Sequence, residues 1–208
     1  MLNLKAAMER LQAIYLVDNL IDITECHSAT AMSFKIYRAK YLKAPIPVLT
    51  QEQREFVSPA YFGGATEYYE LRSENLYHYD VNSMYPAMMV QDRLPILPVG
   101  KIGPIKDWKS FYGYVECKVE CPLDFQTPIL PCKHEGKTIY PTGTWLGTYF
   151  SEHVKLAESL GYTITPLRGL QFRAGSPFNS YIQDFYHTKS TTKDAALKGI
   201  SKLHLNTL

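Results

Sequence analysis

One acidic residue, Asp80, stands where a strand-like stretch gives way to a sharp turn. Residues 76–81 are rich in tyrosine and other strand-forming types, and Pro86 follows closely. A carboxylate at a strand end is held rigidly and can face a cleft, which suits Mg²⁺ bound together with substrate phosphates and water. Backbone N–H groups in the turn suit a triphosphate, and the ring of Tyr85 can pack flat against a sugar. Considered alone, an aspartate in this place is also typical of a structural helix N-cap.

Two further groups of residues have types and spacings that suit nucleic acid or nucleotide. Gly63 and Gly64 closely follow Tyr61, and a backbone without Cβ atoms can approach a phosphate closely. Near the C-terminus, polar residues recur at the spacing that aligns them on one helix face, namely Lys198, Lys202 and Asn206. The apolar residues expected to pack inward from the other faces are Leu197, Ile200, Leu203 and Leu208. The structural alternatives are a plain glycine turn and a solvated lysine face.

A zinc site is the other metal hypothesis that the sequence raises. Cys117 and Cys121 lie in a stretch that alternates apolar and charged residues, which predicts a strand. On a strand these two cysteines are ~13 Å apart, which is too far to share one ion with Cys132 and His134. The four cysteines, which include Cys26, are therefore expected to be buried free thiols in a reducing compartment.

The elements that must position these residues mix helices and strands without regular alternation. Helical patterning covers residues 1–43, and a polar connection follows at 44–58. Strands are predicted at 67–70, 76–81, 112–121, 137–141 and 162–167, and an extended proline-rich stretch at 94–100. Helices are predicted at 87–91, at 150–160 with Ser151 as N-cap, at 178–186, and at 192–208 with a capping box from Thr191 to Asp194. This mixture predicts an α+β fold.

The overall composition is that of a folded protein. The 208 residues are 46% hydrophobic and 20% charged, which excludes a disordered or low-complexity chain. The 22 basic and 20 acidic residues give a formal charge of +2, so charge alone does not indicate a nucleic-acid binder. No apolar run approaches the roughly 20 residues that span a bilayer, and no membrane partner is expected.

Taken in order, these motifs resemble family B DNA polymerases, and most closely the protein-primed branch of phages, adenoviruses and linear plasmids. Residues 80–86, Asp-Val-Asn-Ser-Met-Tyr-Pro, resemble motif A of that family. Residues 61–64, Tyr-Phe-Gly-Gly, are similar to the Tyr-x-Gly-Gly motif between the exonuclease and polymerase domains. Residues 202–208 resemble the opening of motif B. The ordered co-occurrence of three motifs makes the resemblance specific.

The resemblance implies a role for each matched residue of motif A. Asp80 would bind the two catalytic metal ions, and Val81 would offer its backbone carbonyl to a metal. Ser83 and Met84 would present backbone amides to the triphosphate. Tyr85 would act as the steric gate that leaves no room for a 2′-hydroxyl. The implied mechanism is two-metal nucleotidyl transfer with Mg²⁺ and a deoxynucleoside triphosphate (dNTP).

The other two motifs imply contacts with nucleotide and DNA. Lys202 would contact the phosphates of the incoming nucleotide, and Asn206 would line the nascent base pair. Lys198 shares their face and is assigned to the nucleotide with them. The Tyr-x-Gly-Gly match, Tyr61 with Gly63 and Gly64, would hold the template strand.

The same resemblance divides the chain into regions of a right-hand polymerase. These are 1–43, the helical end of an exonuclease-like region; 44–66, a connector with the Tyr-x-Gly-Gly motif; 67–130, the palm with motif A; 131–177, an insertion like the terminal-protein region; and 178–208, palm-to-fingers helices with a truncated motif B. The implied fold is thus a partial α+β palm with the start of the fingers. The implied partners are a DNA template and primer, a dNTP, and a terminal protein that serves as primer.

The chain departs from the family pattern in what it lacks. Motif C, which carries the second metal-binding aspartate, does not occur in the 208 residues. Asn19 stands where the last exonuclease motif has its aspartate. We therefore expect a piece of a longer intracellular polymerase, from a host cytoplasm or a mitochondrion, with no templated incorporation by this chain alone. The alternative is a catalytically inactive truncated remnant that only binds nucleic acid or protein.

Overall fold

A computed structural model describes residues 2–19, 21–65, 70, 72, 74–91 and 93–208, with side chains 2 and 17–19 excepted. Helices and strands are mixed along the described chain, so the α+β prediction is confirmed. The chain divides into two compact units. The helical unit comprises Met1–Pro45, His78–Leu94 and Ser176–Leu208, and the sheet unit comprises Ile46–Tyr77 and Pro95–Gly175. No helix in the described residues is long and apolar enough to cross a membrane.

The helices and strands are numbered in chain order. The helices are α1 (Leu2–Asn19), α2 (Ala29–Ile36, which continues into a π-helical turn at Tyr37–Tyr41), α3 (Gln51–Val57), α4 (Met84–Met89), α5 (Ser151–Ser159), α6 (Asn179–Thr191) and α7 (Ala195–Thr207). The strands are β1 (Leu94–Gly103), β2 (Gly113–Cys121), β3 (Cys132–His134), β4 (Lys137–Ile139), β5 (Gly143–Phe150) and β6 (Thr163–Gly175). Short 3₁₀ turns cover Ile23–Glu25 and Ser58–Ala60.

The core of the helical unit is rich in tyrosine. Tyr15, Tyr37, Tyr41 and Tyr181 are buried together with aliphatic residues of α1, α2, α6 and α7. The rings of Tyr37 and Tyr41 meet the ring of Tyr181 edge-on, with centroids 6.1 and 5.2 Å apart, an arrangement that aromatic rings favour. These tyrosines thus serve core packing in the helical unit.

The sheet unit is built on four strands in the order β1-β6-β2-β5. β2 pairs antiparallel with both β5 and β6, and the β6 pairing shifts register at Glu116 and Cys117. β3 and β4 form a separate hairpin. Its turn places Glu135 and Gly136 at positive φ, a conformation that Gly adopts without strain. Helix α3 begins with a capping box between Thr50 and Gln53.

The central strand β2 confirms the alternation seen in the sequence. Val115, Cys117, Val119 and Cys121 are buried, whereas the residues between them are partly or fully exposed. Burial raises the pKa of the Cys117 thiol to about 12, so this side chain is an inert apolar group. The four cysteines are free thiols, although Cys26 and Cys132 are only partly buried.

Several sequence predictions need correction. The strand predicted at 76–81 is absent: these residues are irregular and exposed, because no described strand pairs with them. The helix predicted at 87–91 lies earlier, at Met84–Met89. Ser151 is the first residue of α5 and Phe150 is its N-cap, while Thr191 ends α6 and Asp194 alone caps α7.

Two sequence features fall on residues that the structure does not describe. The strand predicted at 67–70 includes residues 67–69, which lie outside the described residues. The side chain of Asn19 also lies outside them.

Candidate functional site

The segment that carries Asp80 ends in a sharp turn. Asp80 and Val81 are exposed, and Ser83 adopts a left-handed conformation with φ 55° and ψ 44°. Only a few per cent of non-glycine residues have positive φ, so this turn is a special local feature. Helix α4 starts immediately afterwards, and Ala87 N donates to Ser83 O at 3.0 Å. Pro86 costs no hydrogen bond here because the first four amides of a helix have no intrahelical acceptor.

The side chains around this turn are open to solvent among the described residues. Tyr85 is 75% exposed and Met84 is 54% exposed. Pro86 is the residue that anchors α4, since it is buried while its neighbours are not. The ring of Tyr85 is therefore free to meet a ligand, as its predicted role requires.

Lys189 of α6 donates a hydrogen bond to this turn. Its Nζ lies 3.3 Å from Ser83 Oγ and 5.5 Å from the ring centroid of Tyr186. The ammonium group of Lys189 adds positive charge where the triphosphate is expected. Lys189 is not found from the sequence, because a single lysine among Thr188, Ser190 and Thr191 forms no periodic pattern.

A cavity of about 330 Å³ lies between this turn and α6. Its walls come from residues 82–90 on one side and from α6 on the other, and they include Asn82, Ser83, Val90, Ile182, Gln183 and Tyr186. Apolar side chains and a few polar groups thus share its walls, which is usual for a small-molecule site.

Helix α7 presents the predicted polar stripe on one face. Lys198, Lys202 and Asn206 are all exposed, as their spacing predicts. The buried face consists of Ser201, His204 and Leu205. α7 packs against α2, α4 and α6, so the stripe and the turn at Ser83 belong to one compact unit.

The predicted inward face of α7 is only partly correct. Leu197, Ile200 and Leu208 are partly buried, but Leu203 is 41% exposed. The buried polar residues Ser201 and His204 take the place that apolar residues were expected to fill. A periodicity read from apolar residues alone assigns polar residues to solvent, which is why these two were missed.

The Tyr-Phe-Gly-Gly segment lies in the sheet unit. Tyr61 is 79% exposed, whereas the ring of Phe62 stacks on Tyr149 with centroids 6.0 Å apart and planes 14° from parallel. Nothing lies within 4 Å of the place where a Cβ atom would sit on Gly63 or Gly64. The glycines are thus not required by crowding inside the described structure, and their backbone is open to an outside ligand.

The donor set available for Mg²⁺ is incomplete. The Asp80 carboxylate and the Val81 carbonyl are hard oxygen donors of the kind that Mg²⁺ prefers together with substrate phosphates. Within the described residues, however, no three His, Cys, Asp or Glu side chains lie close enough to hold a metal ion. These residues fit one half of a two-ion site.

Comparison with known proteins gives a match over nearly the whole chain. The sequence model of a family described as "DNA polymerase type B, organellar and viral" matches residues 2–208. A probable DNA polymerase of Neurospora intermedia is 32% identical over 204 residues, which cover 91% of this chain and 21% of that protein. One from Podospora anserina is 34% identical over 193 residues, which cover 90% of this chain and 16% of that protein.

Phage enzymes extend the similarity to solved structures. The DNA polymerase of Bacillus phage phi29 is 27% identical over 208 residues, which cover 90% of this chain and 36% of that protein. The structure of its orthorhombic crystal form superimposes with a TM-score of 0.65 at 23% identity, covering 94% of this chain and 37% of that one. The chain therefore spans less than two fifths of the length of each of these relatives.

Proposed function

The chain belongs to the organellar and viral family of type B DNA polymerases, and we propose that it is the part of a DNA-directed DNA polymerase that carries motif A and the start of motif B. The observation that supports this most directly is the turn after Asp80, where a left-handed Ser83 is met by the Lys189 ammonium group. An exposed carboxylate, an exposed tyrosine and a nearby cation are the groups that a metal-bound dNTP needs.

The proposed reaction joins a dNTP to a growing strand. The oxygen of a primer 3′-hydroxyl, or of a priming-protein hydroxyl at initiation, loses its proton to water and bonds to the α-phosphorus, and the bond from that phosphorus to the pyrophosphate oxygen breaks. When bound, Mg²⁺ would make the hydroxyl more acidic and neutralise charge on the phosphates. In this proposal Asp80 and the Val81 carbonyl would hold the metal, and a second carboxylate from outside the described residues completes the site.

The chain's own residues orient the nucleotide in this proposal. Backbone amides at Ser83 and Met84 bind phosphate oxygens, and Lys189, Lys198 and Lys202 add positive charge that attracts the triphosphate. The ring of Tyr85 packs on the deoxyribose and excludes a 2′-hydroxyl. Asn206 lines the nascent pair. Such positioning and electrostatics supply most of the rate in phosphoryl-type transfers, where side chains do little covalent chemistry.

We extend the proposal to the DNA and to the priming protein. Tyr61, Gly63 and Gly64 contact the template strand, since their ring and backbone are open to it. The regions are those that the resemblance implies: 1–43 from the exonuclease side, 44–66 as connector, 67–130 as palm, 131–177 as the priming-protein insertion and 178–208 toward the fingers. The phi29 structures include complexes with primer-template DNA and with incoming nucleotide, which makes these the ligands to test here.

The test is lysine acetylation of this chain, measured by mass spectrometry with and without dGTP and Mg²⁺. We expect the complex of dGTP with Mg²⁺ to slow acetylation of Lys189, Lys198 and Lys202 and to leave exposed Lys137 of β4 unchanged. The variant Asp80→Ala should weaken this protection. Unspecific attraction of a triphosphate to lysines has the opposite sign, because removing a negative charge would then strengthen protection.

The competing function is a remnant that binds nucleic acid without holding a nucleotide. The incomplete set of metal ligands among the described residues favours it. Under this alternative single-stranded DNA would protect lysines whereas dGTP with Mg²⁺ would not, and Asp80→Ala would have no weakening effect. That pattern would refute the proposed nucleotide site.

A further inference from the structure

Helix α7 carries a buried histidine that the proposed reaction does not use. His204 has no exposed surface, and it lies two residues after Lys202 and two before Asn206. Residues two apart on an α-helix point about 200° apart, so His204 is on the side away from the polar stripe. Whatever holds the His204 ring therefore sets the rotation of α7 about its axis, and with it the direction of the stripe.

Both nitrogens of the His204 ring are hydrogen-bonded by residues far away in sequence. The hydroxyl of Tyr15 on α1 lies 2.6 Å from Nε2, and Ser33 Oγ on α2 lies 2.7 Å from Nδ1. The ring also packs edge-on against Tyr15, with centroids 5.4 Å apart, and in a tilted arrangement against Phe185 of α6, with centroids 4.8 Å apart. Helices from both ends of the chain thus meet at one imidazole.

The protons of this network can be assigned one by one. Nε2 is the acceptor within reach of the Tyr15 hydroxyl in the described structure, so we assign the phenolic proton to this hydrogen bond, and the neutral ring then carries its own proton on Nδ1. Nδ1–H donates to Ser33 Oγ, and the Ser33 hydroxyl donates onward to Ala29 O at 3.0 Å or to Thr207 Oγ1 at 2.7 Å. Thr207 donates to Leu203 O at 2.8 Å. Each donor of the network thus has an acceptor, and the Ser33 hydroxyl has two to choose between.

The electrostatics agree with this assignment. Burial lowers the pKa of His204 to about 4 and raises that of Tyr15 to about 12, so the imidazole and the phenol are both neutral near pH 7. A protonated imidazole would be a donor at both nitrogens and would oppose the Tyr15 proton. The backbone supports the same end of α7, because the Tyr181 hydroxyl donates to the carbonyl oxygen of His204 at 3.2 Å.

We propose that His204 is a positioning residue for the incoming nucleotide: held by Tyr15 and Ser33, it fixes the rotation of α7 and so directs Lys202 and Asn206 at the phosphates and the nascent pair. This inference rests on the proposed function of the stripe. An apolar side chain would fill the same volume, but hydrogen bonds in two directions fix an orientation that packing alone leaves looser. In this proposal helices α1 and α2 support nucleotide binding by holding α7 in one orientation.

The experiment compares two substitutions that each remove one buried hydroxyl from the same core. Tyr15→Phe removes the donor to His204, whereas Tyr37→Phe removes a hydroxyl that donates elsewhere, to Pro177 O at 3.3 Å. The readout is the dGTP concentration, with Mg²⁺, that gives half-maximal protection of Lys202 from acetylation. We expect Tyr15→Phe to raise it about tenfold, since small misplacements in a binding site have effects of this size or more, and Tyr37→Phe to leave it unchanged.

Two further variants connect the effect to the imidazole. His204→Met keeps the volume and loses both hydrogen bonds, and should match Tyr15→Phe. His204→Gln keeps one donor and one acceptor and should recover most of the affinity. Amide hydrogen exchange shows that each variant is folded and should reveal faster exchange in α7 for His204→Met than for Tyr37→Phe.

The outcomes separate the two proposals. If dGTP fails to protect Lys202 in the unchanged chain, the nucleotide site is wrong and this inference is wrong with it. If protection is present but Tyr15→Phe and Tyr37→Phe shift it equally, or His204→Met shifts it by less than twofold, the stripe binds nucleotide and only the positioning role of His204 is refuted.

Discussion

The two parts of the candidate nucleotide site differ sharply in how they are held. The segment from Asp80 to Tyr85 is largely exposed, and Lys189 donates a hydrogen bond to it. The stripe on α7 is exposed too, but the opposite face of its helix is fixed by a buried hydrogen-bond network and by packing around Leu205. The segment after Asp80 would be fixed further only by the metal and nucleotide that it binds, whereas the stripe on α7 is already held in place by the fold. Substitutions should therefore separate stability from ligand binding.

The largest effect on stability is expected on the buried face of α7. Leu205 is 2% exposed in the core of the helical unit, and Leu205→Ala should lower the free energy of unfolding by about 3 kcal/mol through lost burial and a cavity. Its neighbour Asn206 is exposed, and Asn206→Ala should change the free energy of unfolding by less than about 0.5 kcal/mol. Urea denaturation of the two variants measures the contrast, and equal losses would show that α7 is not held by this face.

A pH effect of somewhat smaller size should report on the same network. The pKa of His204 falls from 6.5 to about 4 on folding, so the unfolded chain binds more protons between these values. The contribution of His204 is then complete above pH 6.5 and is lost as the pH falls toward 4, with about 2 kcal/mol lost by pH 5. His204→Met should flatten this part of the profile relative to the unchanged chain. A profile that stays equally steep in the variant would place the titrating group elsewhere.

Two adjacent residues of the Tyr-Phe-Gly-Gly segment also contrast a packed side chain with an exposed one, and the expected loss of stability is smaller. Phe62 stacks on Tyr149 while Tyr61 is exposed. Phe62→Leu should cost about 1 kcal/mol of stability through lost aromatic contact, and Tyr61→Leu almost none. Both should weaken binding of single-stranded DNA, Tyr61→Leu by loss of stacking and Phe62→Leu by loosening the loop. Fluorescence anisotropy with labelled DNA checks this, and unchanged affinity in Tyr61→Leu would contradict a template contact.

The smallest stability effect is expected in motif A itself. Tyr85 is 75% exposed, so Tyr85→Val should change the free energy of unfolding by less than about 0.5 kcal/mol. If the ring packs on the sugar, the variant should bring the concentrations of GTP and dGTP that protect Lys202 closer together. Retention of the full preference for dGTP would count against the steric-gate role.

Features that depend on residues close together in the sequence could be predicted, whereas features that depend on distant partners could not. The stripe of α7 and the alternation of β2 are local periodicities, and both were predicted correctly. The strand at 76–81 was predicted from the propensity of its residues, yet a strand forms only with a partner, and none is described. Propensity alone therefore could not decide that element.

The parts of the site that were missed depend on contacts between distant residues. Lys189 lies against Ser83 although 106 residues separate them, and His204 lies against Tyr15 across 189 residues. Neither pairing has a sequence signature: a lone lysine and a lone histidine are each consistent with solvent. Only the fold shows that Lys189 faces the turn after Asp80 and that His204 is hydrogen-bonded to α1 and α2.

The division of the helical unit into three separated segments has a consequence for how the molecule is made. The core of that unit needs residues from both ends of the chain, since Tyr15 meets His204 only after nearly all 208 residues exist. The sheet unit, in contrast, is complete at Gly175. At about 5–20 residues per second, a ribosome would thus complete synthesis of the sheet unit seconds before that of α7. During that interval the tyrosine-rich face of α1 and α2 would stay exposed until α7 packs on it. Of the features described, the polar stripe of α7 would form last.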